Sequence, residues 1–341
     1  MALEFMDGFD HYNGAVLGAR RKWDASSGGS GVAGRFGGGA WDIWNADLNL
    51  RTGQLSALAT RTVGFAFKPD SFSTQVFFVL ADGASTQLDM RLTGSGAIQV
   101  TRAGTALGTT TNLLVANAWV YIELQATIDP TVGAFTLKVW SGVNPGIWLA
   151  MTSQNTRATA NSSTNGLTFQ AVSPHYYIDD VYILNPSGSV NNNFLGECRI
   201  FTSLPTGDNT SATGTNKLWT PDAGTAHYTQ VDDTPNPDDD TSYVSSATAG
   251  QIDTYTYPAI APTGPIAAVQ VTLTDRKDDA GARSICAEYR GGGANYDGAS
   301  TFTPSTSYLM HRQIWEADPA TGAAWTVAGV NAGEYGAKCV A

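Results

Sequence analysis

Apolar and polar positions alternate with a period of two through most of the first half of the chain. Leu88, Met90 and Leu92 alternate with Gln87, Asp89 and Arg91; Val120, Ile122 and Leu124 alternate with Tyr121, Glu123 and Gln125. Phe135, Leu137 and Val139 alternate in the same way with Thr136, Lys138 and Trp140. Each run predicts a strand with one face in a core and one in water. Residues 63–67 (VGFAF) and 75–80 (QVFFVL) are apolar almost throughout, which predicts strands buried on both faces or at a sheet centre. Turn formers (LTGSGA, TRAGTALGT, TIDPTVGAF) separate these runs at intervals that suit a sandwich. No segment has the three-turn apolar stripe of an amphipathic helix.

Residues 175–184 (HYYIDDVYIL) read as the last strand of a first domain, because residues 185–193 (NPSGSVNNN) are turn formers with little to bury. Residues 3–12 (LEFMDGFDHY) are similar in kind, and the two are expected to pair and seal that domain. In the second half, strands are predicted over 197–202, 252–257, 266–274, 282–290, 307–316 and 334–340. Val269, Val271 and Leu273 there alternate with Gln270, Thr272 and Thr274. Long polar loops fall at 205–215 and 231–242. The fold class is all-β: two antiparallel β-sandwich, jelly-roll-like domains in tandem, spanning residues 1–188 and 189–341.

Composition narrows the partners. Of 341 residues, 42% are hydrophobic and only 14% charged, so cores can form and much of the surface is neutral and polar. The net charge of −11 is uneven. Before Asn191 there are 11 Lys/Arg against 13 Asp/Glu (−2), and from Asn191 onward 8 against 17 (−9). Such a surface repels phosphate backbones, which excludes nucleic acid and anionic membranes as expected partners. No apolar run approaches 18 residues, and MALEFMDGFDHY lacks a basic start and an apolar core, so neither a spanning segment nor a signal peptide is expected. Cys198, Cys286 and Cys339 are odd in number and form no CxxC, so they are expected to be free thiols in a protein made in a reducing cytoplasm.

Little of the chain carries the marks of catalysis. GSGVAG (residues 29–34) matches GxGxxG, but no hydrophobic strand precedes it and no helix follows, so a plain loop is expected. Glycosidases need two carboxyls across a cleft. The chain has six glutamates, of which only Glu4 and Glu123 precede residue 188. Asp179 and Asp180 are neighbours, which on a regular strand directs them to opposite faces. No HExxH and no GxSxG occurs, and His11, His175, His227 and His311 are expected to be satisfied core or edge residues. No catalytic residues and no obligatory cofactor are expected, and hence no enzyme.

Two binding chemistries are open. The loop at 231–242 crowds Asp232, Asp233, Asp238, Asp239 and Asp240, and Asp238, Asp239 and Asp240 could offer oxygens to calcium, although the EF-hand spacing is absent. A solvated acidic loop is the alternative. Asp7, Asp10, Asp179 and Asp180 would form a second acidic cluster if the terminal strands pair, with turn capping as the alternative. There are also nine tryptophans. Exposed aromatic faces serve sugar binding and protein interfaces alike. Trp41 and Trp44, in a Gly-rich loop, and Trp140, on the presumed outer face of its strand, are the candidates for glycan or partner contact.

FMDGFDHY, KW (residues 22–23), GRFGG (34–38), VGFAF and YYIDDVYIL together resemble a class of tailed-bacteriophage virion proteins. The likeness continues through FLGECRIFTSLPTGD, WTP (219–221), DDDTSYV (238–244), RKDDAGAR (276–283) and EADPATGAAWTVAGVNAGEYGAKCV, so it covers nearly the whole chain. The first domain also resembles the concanavalin A/laminin-G sandwich, in which first and last strands are neighbours. The resemblance implies a non-enzymatic virion part on the capsid or tail surface, a decoration or tail-associated protein. Its partners would be other virion proteins, further copies of itself in a homo-oligomer, and a host surface glycan if it is a tail adhesin. Cys339, inside the terminal strand, departs from the aliphatic residue expected there.

Overall fold

The computed structural model describes residues 2–11, 22–23, 31–44, 47–50, 54–140, 144–210, 214–234 and 236–341. Tyr12, Gly29 and Ser30 of the motifs above lie outside the described residues, as do 211–213 and 235 of the two long loops. The chain forms two compact units, Met1–Gly18 with Trp23–Phe201, and Ala19–Lys22 with Thr202–Ala341. The division after Phe201 moves the predicted boundary at residue 188. Segment 189–201 belongs with the first unit, and the reason lies in side chains that only the fold assembles.

The first unit contains β1 (Leu3–Asp7), β2 (Gly31–Ala33), β3 (Gly39–Ile43), β4 (Leu48–Leu50), β5 (Thr60–Pro69), β6 (Gln75–Asp82) and β7 (Ser85–Leu92). It continues with β8 (Ile98–Arg102), β9 (Thr105–Thr109), β10 (Val120–Thr127), β11 (Gly133–Trp140), β12 (Gly146–Gln154), β13 (Gly166–Phe169) and β14 (Tyr176–Leu184). One sheet runs β12-β11-β10-β5-β14-β3-β2 with β1 on β14; the other runs β4-β13-β6-β7-β8-β9. All pairings are antiparallel, so the all-β reading holds. The expected closure holds too: Leu3 pairs with Leu184 and Asp7 with Val181. Aromatic residues join the two sheets. Phe65 stacks on Phe78 at 5.5 Å and meets Phe169 edge-on at 4.9 Å, while Phe67 lies 4.7 Å from Phe77. Each such buried ring contributes about 1.5–3 kcal/mol of apolar burial.

Two of the polar faces predicted to meet water are buried. Gln87 is covered because a loop crosses its side of β7: its Oε1 accepts from Ala158 N at 2.7 Å, and its Nε2 donates to the Asn161 carbonyl at 2.7 Å. Asp89 is buried with Arg91 Nε at 3.1 Å and Gly104 N at 3.3 Å as donors. On the outer face of the larger sheet, Tyr121 and Glu123 are buried beneath segment 194–200. Glu123 there accepts from the Tyr182 hydroxyl, from Trp140 Nε1, and from Gly196 N at 2.8 Å. Gly64 makes this possible. A Cβ at that position would run into the Tyr182 ring, which lies flat over β5 to reach Glu123. The predicted strand at 197–202 is absent: the N–H of Ile200, like that of Gly196 just before the segment, goes to a side-chain carboxylate rather than to a neighbouring strand.

Glu123→Ala should therefore lower the unfolding free energy of the first unit by about 3 kcal/mol, because it strands the buried Tyr182 hydroxyl and the half-buried Trp140 Nε1 and Gly196 N, at about 1–3 kcal/mol for a fully buried donor. Urea unfolding followed on peptides of residues 2–201 measures it. A loss below about 1 kcal/mol would mean that water replaces the carboxylate.

The second unit holds β15 (Gly207–Asp208), β16 (Thr220–Pro221), β17 (Val244–Ser245), β18 (Ile252–Thr256), β19 (Val269–Asp275), β20 (Ile285–Gly291) and β21 (Ala294–Phe302). After them come β22 (Leu309–Trp315), a short helix α1 (Val327–Ala332) and β23 (Glu334–Cys339). A five-stranded sheet, β15-β18-β23-β20-β21, is accompanied by the pairs β19-β22 and β16-β17. Its core gathers Val271, Ala287, Tyr289, Trp325 and Tyr335. β21 (ANYDGASTF) was not predicted, because it is an edge strand of small and polar residues with little to bury. Among the described residues no helix is long and apolar enough to cross a membrane.

Candidate functional site

β3 reads GAWDI, and period two decides the fate of Trp41 on it and of Trp44 just past its end. Trp41 pairs with Ile178 and faces the core, where it is 1% exposed and 6.3 Å from Phe9. Trp44, three residues on, belongs to the opposite face and is 55% exposed. Trp41 is thus corrected to a core residue. Trp140 does lie on the outer face, opposite Tyr121, but its Nε1 donates to Glu123 and it is half-buried. Its face was read correctly and its exposure was not. Of the three candidates, Trp44 is the one on an open surface.

Around Trp44 the sheet assembles residues that no single motif displays. Tyr177 of β14 pairs with Asp42 of β3 on one side and Lys68 of β5 on the other, so the three form a row across three strands. His175 and Asp70 stand two residues further along the same face. The His175 imidazole bridges two carboxylates, with Nδ1 2.8 Å from Asp42 Oδ1 and Nε2 2.8 Å from Asp70 Oδ2. Trp44 lies 5.7 Å from the His175 ring, and Tyr177 lies 5.5 Å from it. Lys68 Nζ sits 4.8 Å above the Tyr177 ring and 5.9 Å from that of Trp119. Burial, with the Asp70 and Asp42 carboxylates nearby, pushes the Tyr177 phenol up. The result is a platform of three aromatic rings interleaved with one cation and two carboxylates. Because both imidazole nitrogens are held by carboxylates, His175 is placed to orient groups rather than to activate a nucleophile.

Beside the platform, β14 carries a bulge: its register on β5 shifts between Asp179 and Tyr182, and Asp180 takes φ +50°. The bulge cancels the alternation, so Asp179 and Asp180 both turn to the outer face, contrary to the regular-strand expectation. They line a small cleft with Asp10, Phe36, Arg199 and Ile200. Asp179 accepts from Asp180 N at 2.7 Å and Arg35 N at 2.9 Å; Asp180 accepts from Ile200 N at 2.6 Å and Arg35 Nη2 at 2.9 Å. The approach of Arg35 N requires glycine at 34, where a Cβ would sit 2.8 Å from Asp179 Oδ2. Burial and the Asp180 charge push Asp179 up to about 8, and burial, offset in part by Arg35, pushes Asp180 up to about 6. Perturbed carboxyls in a cleft attract a catalytic reading. Here all four oxygens already hold this chain's own donors, and the pair anchors the Arg35 turn and segment 194–200. Asp7, the remaining member of the predicted cluster, accepts from Phe9 N at 3.0 Å and Trp23 Nε1 at 2.6 Å.

The acidic loop does not converge on one point. Asp238 Oδ1 accepts from Ser242 N at 3.1 Å, Asp240 is held by Arg276 at 2.8 Å and by the Tyr308 hydroxyl at 2.8 Å, and Asp239 takes φ +64°. Among the described residues, Asp238, Asp239 and Asp240 form no group whose ligand atoms lie close enough together to share an ion. The three cysteines are free, with Cys286 and Cys339 buried and Cys198 half-buried. Burial pushes the Cys198 thiol up to about 12. Sequence reasoning missed Asp42, Lys68, Asp70, Trp119, His175 and Tyr177 as a set. The available signal was that Asp42, Lys68 and Tyr177 stand on the outward phase of their strands, with Asp70, Trp119 and His175 just beyond strand ends, but strand order was needed to join them.

No protein-family model matches this sequence, and no curated protein matches it. Among solved structures, the chain is similar to domain 4 of AbnA, a GH43 extracellular arabinanase from Geobacillus stearothermophilus, in complex with arabinotriose (15% identity, 54% of this chain and 93% of that chain, TM-score 0.40). It is also similar to the metal-free lectin I-B4 from Griffonia simplicifolia (10%, 52% and 98%, 0.32). A third likeness is the native heptameric SAP-like pentraxin from Limulus polyphemus (13%, 40% and 68%, 0.29). Likenesses at these scores bear on neither ligand nor reaction.

Proposed function

We propose that the first unit is a glycan-binding module acting through the Trp44 platform, carried as an adhesin on the virion surface that the sequence resemblance implies. The observation that supports it is the exposed Trp44 ring next to His175, at one end of a row that runs through Asp42, Tyr177 and Lys68 to Trp119, with Asp70 on the imidazole. A sugar ring offers an apolar C–H face to stack on an aromatic ring and hydroxyls to exchange hydrogen bonds with carboxylates and ammonium. Lys68 and His175 face the two carboxylates Asp42 and Asp70, so the platform offers no surplus of cations to acidic sugars, and the ligand class is a neutral glycan.

Titrating a panel of neutral cell-surface polysaccharides against the protein's tryptophan fluorescence tests this. At least one should quench it, and Trp44→Ala should weaken that binding about tenfold, roughly 1.4 kcal/mol, while leaving thermal unfolding unchanged. A flat spectrum across the panel, or equal binding by Trp44→Ala, would sink the proposal.

A further inference from the structure

In the second unit, we propose that Cys286, Glu288 and Asp297 form a binding site for a thiophilic divalent cation of the Zn²⁺ class. Cys286 and Glu288 are two apart on β20 and share one face, opposite to that of Ala287 and Tyr289, which enter the core. Asp297 on β21 is the cross-strand partner of Glu288. One ligand atom from each lies within 4.8 Å of the others. In a tetrahedral shell the ligand atoms stand about 3.5 Å apart, given metal bonds of about 2.0–2.3 Å, so the three need draw together by no more than roughly 1.3 Å.

Glu288 is what makes this more than a chance cluster. It is 0% exposed, and neither of its carboxylate oxygens meets a donor at full hydrogen-bonding geometry, the Tyr296 N–H and the Asp297 carboxyl being the polar groups next to it. A buried carboxylate without well-placed donors is costly, and a native structure seldom keeps one without a partner or a proton. Lys338 Nζ stands 2.6 Å from Asp297 Oδ2, so a cation already meets the exposed end of the cluster, while the buried end has none. Burial and the Asp297 carboxylate push Glu288 up to about 8, and burial with the same two carboxylates pushes Cys286 up to about 11.

The donor set selects the ion. Calcium and magnesium prefer all-oxygen shells. One thiolate with two carboxylates suits Zn²⁺, with a fourth position left for water. Binding would displace the Cys286 thiol proton and the Glu288 carboxyl proton, which leave to solvent as the thiolate and carboxylate engage the metal. Asp297, on the exposed side, provides the entry.

Titration of the full chain with Co²⁺ tests the site. One equivalent should produce a thiolate-to-cobalt charge-transfer band that Zn²⁺ abolishes. Cys286→Ser should remove the band, Glu288→Gln should weaken Co²⁺ binding at least tenfold, and the Cys198→Ser/Cys339→Ser double variant should keep it. Lys338→Met, which removes the competing ammonium, should tighten binding. No band from the unaltered chain, or a band that survives Cys286→Ser, overturns the proposal. A second measurement needs no variant: the melting temperature of the second unit should rise with Zn²⁺ and not with Mg²⁺, and no rise with Zn²⁺ likewise overturns it.

Discussion

The first unit should lose stability as the pH rises from about 4 to about 8, the reverse of what salt-bridged surface carboxylates produce. Asp179, pushed from an ordinary 3.8 up to about 8, keeps a proton in the folded state that the unfolded chain has released. A carboxyl raised in this way contributes stability that is fully present below its unfolded pKa and is lost as the pH climbs through the folded one. The steepest slope for one such proton is about 1.4 kcal/mol per pH unit. Asp180 moves in the same direction and shares the titration with Asp179. Glu288 in the second unit is also raised, so the measurement must be local. Hydrogen exchange under denaturant, read on peptides covering residues 176–184 and 194–200 at pH 5 and pH 8, provides it. Asp179→Asn should cost stability at pH 5, where an amide nitrogen faces one of the two N–H donors, and lose that deficit by pH 8. Equal stability of the unaltered protein at both pH values would show that water or rearrangement relieves the pair.

Arg35→Met should destabilise the same unit by about 3–5 kcal/mol at neutral pH, the usual cost of breaking a buried ion pair by removing one member. Arg35 is 5% exposed at its side chain and bonds Asp180 and Glu197 at 2.9 Å each, together with the Cys198 carbonyl. Methionine preserves much of the length of the side chain and leaves Asp180 buried without its cation. The loss should be larger at pH 8 than at pH 5, because protonation can stand in for the missing guanidinium at the lower pH. Adding Asp180→Asn to Arg35→Met should recover part of the stability, and a double-mutant cycle gives the coupling. A loss under about 1 kcal/mol from Arg35→Met alone would mean that the staple on segment 194–200 is dispensable.

Both predictions turn on Asp179 and Asp180, which sequence patterning assigned to opposite faces, and on Arg35, to which it assigned no environment; the causes are specific. Alternation located Leu88, Met90, Ile122 and Leu124 in the core, because inward apolar residues bury area whatever lies on the other side of the sheet. It could not tell that Gln87, Tyr121 and Glu123 would be covered as well, since the covering segments are irregular and held by side-chain hydrogen bonds. The domain boundary moved for the same reason. Turn formers at 185–193 mark the end of a strand, but the Glu123, Asp180 and Arg35 contacts decide that residues up to Phe201 belong with the first unit.

The candidate site divides along the same line. The sequence by itself determined the all-β class, the central strands β5, β6, β7, β10, β11 and β14 of the first unit, the pairing of its first and last strands, and the inward phase of residues such as Leu88, Ile122 and Leu137. Those follow from a two-residue period and from which side chains water rejects. Only the tertiary structure decided that Trp41 lies in the core, that a bulge at Asp180 puts two neighbouring carboxyls on one face, and that His175, Tyr177, Lys68 and Asp42 meet in adjacent strands. Strand order and bulges depend on long-range pairing, and the hydrogen bonds that select one pairing over another are made by backbone groups that every residue carries alike.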